Sequence, residues 1–136
     1  MPFYFLDNNL NFMDFFSPTS NIYWTSHSHA KLRQYRLSES RVKRILRHPR
    51  RLEVGIAPDT VAGMQPAGSK KHPNEIWVMW AVDKFSKVNG NTKFNLNRKI
   101  RIISVWRYPG TSPAHEPPPI PQDVWELINK KEGNNI

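Results

Sequence analysis

The chain has 136 residues and a mass of 15.9 kDa, the size of one ordinary domain. It carries 20 Lys/Arg against 11 Asp/Glu, a formal charge of +9, and no cysteine. These figures exclude a disulfide scaffold, thiolate chemistry and a large multidomain enzyme in this stretch, and no run of about 18 apolar residues offers a membrane span.

The first 23 residues differ in kind from the rest. They hold Asp7 and Asp14 but no Lys or Arg, so the other 113 residues carry +11. They also hold Phe3, Phe5, Phe12, Phe15 and Phe16, five of the seven Phe. The charged start, apolar core and cleavage site of a secretory leader are missing, which makes a cytoplasmic location the expectation. So many Phe are expected to dock on an apolar surface of the domain or a partner, or to cover the basic surface. The expected division is an acidic Phe/Asn-rich segment over 1–21, a single basic domain over 22–131 and a frayed tail over 132–136.

Ile22 to Thr25 is short, apolar and β-prone. Ser26 or Ser28 offers an N-cap for a helix running to Arg36. Ser38 offers a second N-cap, and Val42, Ile45 and Leu46 recur at helical spacing until Pro49 ends the helix near His48. The period then changes to two. Leu52–Val54 reads as a strand, residues 55–59 as a turn and Thr60–Met64 as a second strand. A basic loop over 66–74 leads to Glu75–Val82, whose near-continuous apolarity predicts a central strand buried on both faces. The polar stretch 83–97 centres on Asn89-Gly90 and reads as a long β-arm or a mobile loop. Lys99–Tyr108 returns as a strand. The Pro-rich stretch to Pro121 is a stiff connector or a cover over the sheet, and Gln122–Lys131 is a last helix. This order predicts an α+β fold in which the helices gather on one side of a four-stranded antiparallel sheet.

The densest charge runs from Lys31 to Arg51, where nine Lys/Arg face Glu39 alone. Such a density attracts polyanions: a nucleic acid first, with an anionic membrane surface or an acidic protein satisfying the same arithmetic. Arg36, Arg41, Lys43, Arg44, Arg47 and Arg50, with Lys70 and Lys71 in the loop, are the candidate phosphate contacts. No metal-ligand spacing and no phosphate-binding glycine loop is present, so neither metal nor cofactor is expected. The carboxylates are scattered, which leaves His and Arg for any chemistry. His29 and Arg33 share a helix face with Arg36, and Arg107-Tyr108 ends the last strand. In a metal-free RNA cleavage His29 would act as base or acid, Arg33 and Arg107 would grip the phosphate, and Tyr108 would stack on a base or supply a weak acid. The plainer alternatives are a helix-start His29 and a core Tyr108.

The stretch from Trp24 to Gln65 resembles the DUF4258 family of small bacterial proteins. The residues that carry the likeness are Ser28-His29-Ala30, Arg33, Leu37-Ser38-Glu39, and His48-Pro49-Arg50-Arg51-Leu52-Glu53, with Ile102–Trp106 as a later matching strand. The resemblance implies a RelE/ParE-like, BrnT-related toxin fold, with two N-terminal helices on the four-stranded antiparallel sheet and the C-terminal helix as an addition. It implies a metal-independent endoribonuclease of toxin type and an acidic antitoxin-like partner. Leu37 stands where the family has Gly at the interhelical turn. The residues themselves leave open a non-enzymatic RNA- or DNA-binding module, or a protein-interaction domain using the aromatic start or the Pro-rich connector.

Overall fold

A computed structural model of the chain describes residues 21–54, 59–88 and 91–133, with backbone alone for 83–88, 91–98 and 131–133. The Phe-rich segment before Asn21, the turn at 55–58, Asn89-Gly90 and the last three residues of the tail lie outside the described residues. In chain order the elements are β1 (Asn21–Trp24), α1 (Ser26–Tyr35), α2 (Glu39–Arg47), β2 (Arg51–Val54), β3 (Thr60–Gly68), β4 (Pro73–Val88), β5 (Asn91–Pro109) and α3 (Gln122–Gly133).

The strands form one five-stranded sheet in the order β1-β5-β4-β3-β2. β1 is parallel to β5 and every other neighbouring pair is antiparallel. The expected four-stranded antiparallel, RelE/ParE-like sheet is therefore corrected to a mixed sheet of five strands. The physical reason lies in β1. Its alternating pattern gives one apolar side, Ile22 and Trp24, which packs on the same cluster as Ile100 and Ile102, the residues they pair beside. A parallel partner needs a long connection, and the sequence from α1 through β4 supplies it.

β4 occupies the centre, and Ile76 through Val82 are all buried. Alternation sends Ile76, Val78, Trp80 and Val82 to one face, against Val42, Ile45 and Leu46 of α2 and Leu32 of α1. Trp77, Met79 and Ala81 take the other face with Ile103 and Trp106, under Val124 and Ile128 of α3. The helices are thus not gathered on one side, which is a second correction: a central strand apolar on both faces needs cover on both. A register shift after Met79, which pairs with Ser104 while Trp80 pairs with Ile102, keeps each face supplied from β5. On the α2 face Gly63 is the place where a glycine is required, because an added Cβ would lie 2.9 Å from the buried Trp80 ring.

The α3 face is closed by stacking and a clamp. The Trp77 and Trp106 rings lie 6.2 Å apart and 5° from parallel. The Arg51 guanidinium sits 5.1 Å from the Trp77 ring centre, pairs with Glu53 at 2.9 Å, and donates to Ser112 Oγ and to the Glu116 carbonyl. It pins the Pro-rich connector across this face, with Ile120 packed on the cluster below.

α1 packs on β5 where β1 stops, and so shields an otherwise open edge. Its N-cap is Thr25, not Ser26 or Ser28. The Thr25 hydroxyl accepts from Ser28 N at 3.1 Å and donates to the Ile102 carbonyl at 2.9 Å, so one side chain serves the helix and the strand. The helix ends with Arg36 in the left-handed region at φ 54°, its N–H bonded to the Arg33 carbonyl and Leu37 N–H bonded to the Leu32 carbonyl. Leu37 packs against the core immediately after this turn. Distally, β4 and β5 pair as far as Val88 and Asn91, beyond the last residues that β3 and β1 reach. The described parts of the 83–97 stretch, 83–88 and 91–97, are therefore paired as a β-arm.

Candidate nucleic-acid interface

α2 is amphipathic in the sense its sequence requires. Val42, Ile45 and Leu46 have no measurable exposure, while Arg44 and Arg47 are exposed and Lys43 is partly so. Ser38 caps the helix by accepting from Arg41 N at 3.1 Å. The ion pairs among the described residues are Lys31–Asp123 and Arg51–Glu53, so no described carboxylate neutralises Arg33, Arg36, Arg41, Lys43, Arg44, Arg47, Arg50 or Arg107. Glu39, exposed in the first turn of α2, pairs with none of them.

Two of these arginines are held in place. Gln65 on β3 accepts from Arg41 Nη1 and donates its amide N–H groups to the carbonyls of Arg44 at 3.2 Å and His48 at 2.8 Å. Gln65 thus ties off the last turn of α2 and orients Arg41 together. Arg107 donates to Asn74 Oδ1 and to the Tyr35 carbonyl, each at 3.1 Å. Gln65, Ile76 and Arg107 stand in one cross-strand row, so they share the α2 face of the sheet. Burial, and then the charges of Arg44 and Arg107, hold the Arg41 guanidinium below its ordinary pKa. It remains a cation at neutral pH, crowded by like charge. Beside Gln65, where β3 runs past β2, His48, Pro49, Arg50 and Pro66 line an open depression of about 490 Å³.

The other predicted positions distribute as follows. Arg36 is exposed at the left-handed turn next to Tyr35. Lys70 and Lys71 are exposed in the β3–β4 turn, which Ser69 and His72 close by mutual hydrogen bonds. His29 is exposed on α1 with its ring 6.0 Å from that of Trp24, and Arg33 is exposed one turn further on. No hydrogen bond or ring contact among the described residues joins either to Arg107. The Tyr35 carbonyl that Arg107 reaches is six residues from His29, or about 9 Å along a helix axis. Tyr108 packs with Trp77 and Trp106 on the α3 face, opposite to Arg107. The structure therefore couples Arg41 to Arg44 and Arg107 and turns Tyr108 to the opposite face of the sheet, while His29 and Arg33 stay on α1 without a direct bond to Arg107 among the described residues.

Gln65 and Asn74, which anchor Arg41 and Arg107, are positions that the sequence did not single out. A single Gln after an apolar strand carries no motif, and its role depends on the register that puts it beside the end of α2. His27 is also unforeseen. Its Nε2 lies 3.0 Å from Ser104 Oγ, but Ser104 is fully buried, so the pair fastens α1 to β5 and offers no accessible nucleophile. Burial and the Lys31 charge lower the His27 pKa, against an opposing pull from Asp123. No group of three or more His, Asp or Glu that could hold a metal occurs among the described residues, and none of their helices is long and apolar enough to cross a membrane.

No protein-family model matches the chain, and no significant match exists among curated proteins or solved structures. With the mixed five-stranded sheet, this removes the basis for the RelE-like toxin fold and for the terms attached to it: DUF4258, toxin–antitoxin and ribonuclease.

Proposed function

We propose that the protein is a non-enzymatic nucleic-acid-binding module, met by its ligand in the cytoplasm. The observation that carries this reading is the outer side of α2 with the adjoining sheet end: Arg36, Arg41, Lys43, Arg44, Arg47 and Arg107 form a cationic surface with no carboxylate partner among the described residues. An uncompensated charge cluster of this kind raises its own electrostatic energy, which a phosphate backbone relieves with release of condensed counterions. Mounting on a buried apolar stripe and a sheet row fixes the backbone of the surface, so little backbone entropy is lost on binding.

The test is binding of mixed-sequence RNA and DNA oligonucleotides across a salt series, with the products examined for cleavage in EDTA. The reading expects binding that weakens steeply with salt, uncleaved ligand, and no effect of His29→Ala. Salt-independent binding, or none at low salt, overturns it.

A further inference from the structure

We propose that Arg41 and Arg107 form a fixed subsite for a single phosphate group, where the ends of β3, β4 and β5 meet the α1–α2 turn. The inference rests on the nucleic-acid reading and deepens it, because it separates two preorganised arginines from the field of exposed cations around them.

Gln65, Ile76 and Arg107 form one cross-strand row. With neighbouring strands about 4.8 Å apart, the backbones of Gln65 and Arg107 are about 10 Å apart on one face. Arg41 reaches that row from α2 and ends on Gln65 Oε1; Arg107 rises from the row itself. Ile76 lies between Gln65 and Arg107 in the row, and its side chain is buried in the core. Each guanidinium is anchored by neutral acceptors, an amide oxygen for Arg41 and an amide oxygen with a backbone carbonyl for Arg107. Such partners orient a guanidinium without neutralising it. They also use only part of its five N–H donors, and leave others without a protein acceptor among the described residues.

Two half-buried, oriented and unneutralised arginines match the demands of phosphate, whose oxygens accept paired N–H bonds from a planar fork. A cluster meant only for solubility gains nothing from being held. The partly exposed Lys43 and the exposed Arg44 and Arg47 show the other case, since no side-chain hydrogen bond or ion pair among the described residues fixes them. The subsite would set the register of the backbone, and the exposed cations would supply general attraction. Arg36 stands beside it, next to the Tyr35 carbonyl that Arg107 uses.

The experiment is a titration of the full chain with inorganic phosphate, followed by the arginine Nε–Hε signals in ¹⁵N NMR, with an oligonucleotide titration alongside. Phosphate is expected to shift the Arg41 and Arg107 signals together and saturably. Arg41→Gln and Arg107→Gln should each weaken phosphate binding about 10-fold, and Lys130→Gln, an exposed cation on α3, should leave it unchanged. The wild-type shift pattern needs no variant to fold, and Arg107→Lys, which keeps the charge but loses the fork, gives a second reading of the same point. Shifts spread evenly over the arginines, or no saturation while the oligonucleotide still binds with salt dependence, overturn the subsite and leave the surface reading standing. If neither ligand binds, both fall.

Discussion

Gln65 is bonded to Arg41 on one side and to the last carbonyls of α2 on the other, so a neutral amide both closes a helix and aims a cation. Removing it as Gln65→Leu should cost about 1–2 kcal/mol, since two helix carbonyls lose a partner at a half-exposed site where water replaces part of the loss. The same change should weaken oligonucleotide binding, because Arg41 loses its orientation. Urea unfolding and a binding titration on one preparation check both effects.

Arg36 tests whether function and stability oppose one another at the α1–α2 turn. A non-glycine residue in the left-handed region costs roughly 1 kcal/mol. Arg36→Gly is therefore expected to raise stability by about that amount, and to lower oligonucleotide affinity by removing an exposed cation beside Arg107. A fall in stability would show that the Arg36 side chain is held for its packing.

Arg51 belongs to the fold, although it lies at the end of the same basic run. Arg51→Ala deletes the contact over Trp77, the partner of Glu53 and both bonds to the connector. The expected loss is about 2–3 kcal/mol, from the cation–π contact and the charge-assisted bonds together. Proteases should then cut the 110–121 connector faster, while oligonucleotide binding by the folded fraction stays close to wild type.

His27 gives the fold an acid-sensitive joint. Its pKa in the folded chain lies below the ordinary 6.5, through burial first and the Lys31 charge second. The unfolded chain then binds the proton more readily than the folded one, so stability falls as pH drops through about 6.5 and continues down to the folded value. Asp123 acts lower in the range. Burial raises its pKa, but the Lys31 hydrogen bond and charge, with His27, lower it further, so its contribution is present above 3.8 and lost as pH falls through its depressed folded value. His27→Gln should flatten the stability profile between pH 7 and 5, and Asp123→Asn should act on the limb below 4.

The sequence made individual elements legible and left their assembly hidden. Ser38, the Val42-Ile45-Leu46 stripe and Pro49 defined α2, and the apolar run Ile76–Val82 identified the central strand, because each carries a local signal. β1 is only four residues long, and its parallel place beside β5 depends on packing of Ile22 and Trp24 that no local pattern reveals. The opposite faces of α2 and α3 follow from alternation along β4 once the register is known. At the site, the basic residues of α2 were visible as a charge run. That Arg107 joins Arg41 while Tyr108 points the other way follows from strand parity. That Gln65 holds Arg41 follows from tertiary contact alone.

The most direct test of the nucleic-acid reading is the slope of log binding constant against log salt for an oligonucleotide duplex, in wild type and in Arg41→Gln, Arg44→Gln and Arg107→Gln. Each phosphate contact contributes about −0.9 to that slope, so one phosphate for the Arg41–Arg107 pair and one each for Arg36, Lys43, Arg44 and Arg47 predict about −4.5, and each variant should reduce its magnitude, by about 1 for Arg44→Gln and by up to about 1 for either member of the pair. A slope near zero, or a steep slope that none of the three variants changes, would contradict the assignment of this surface.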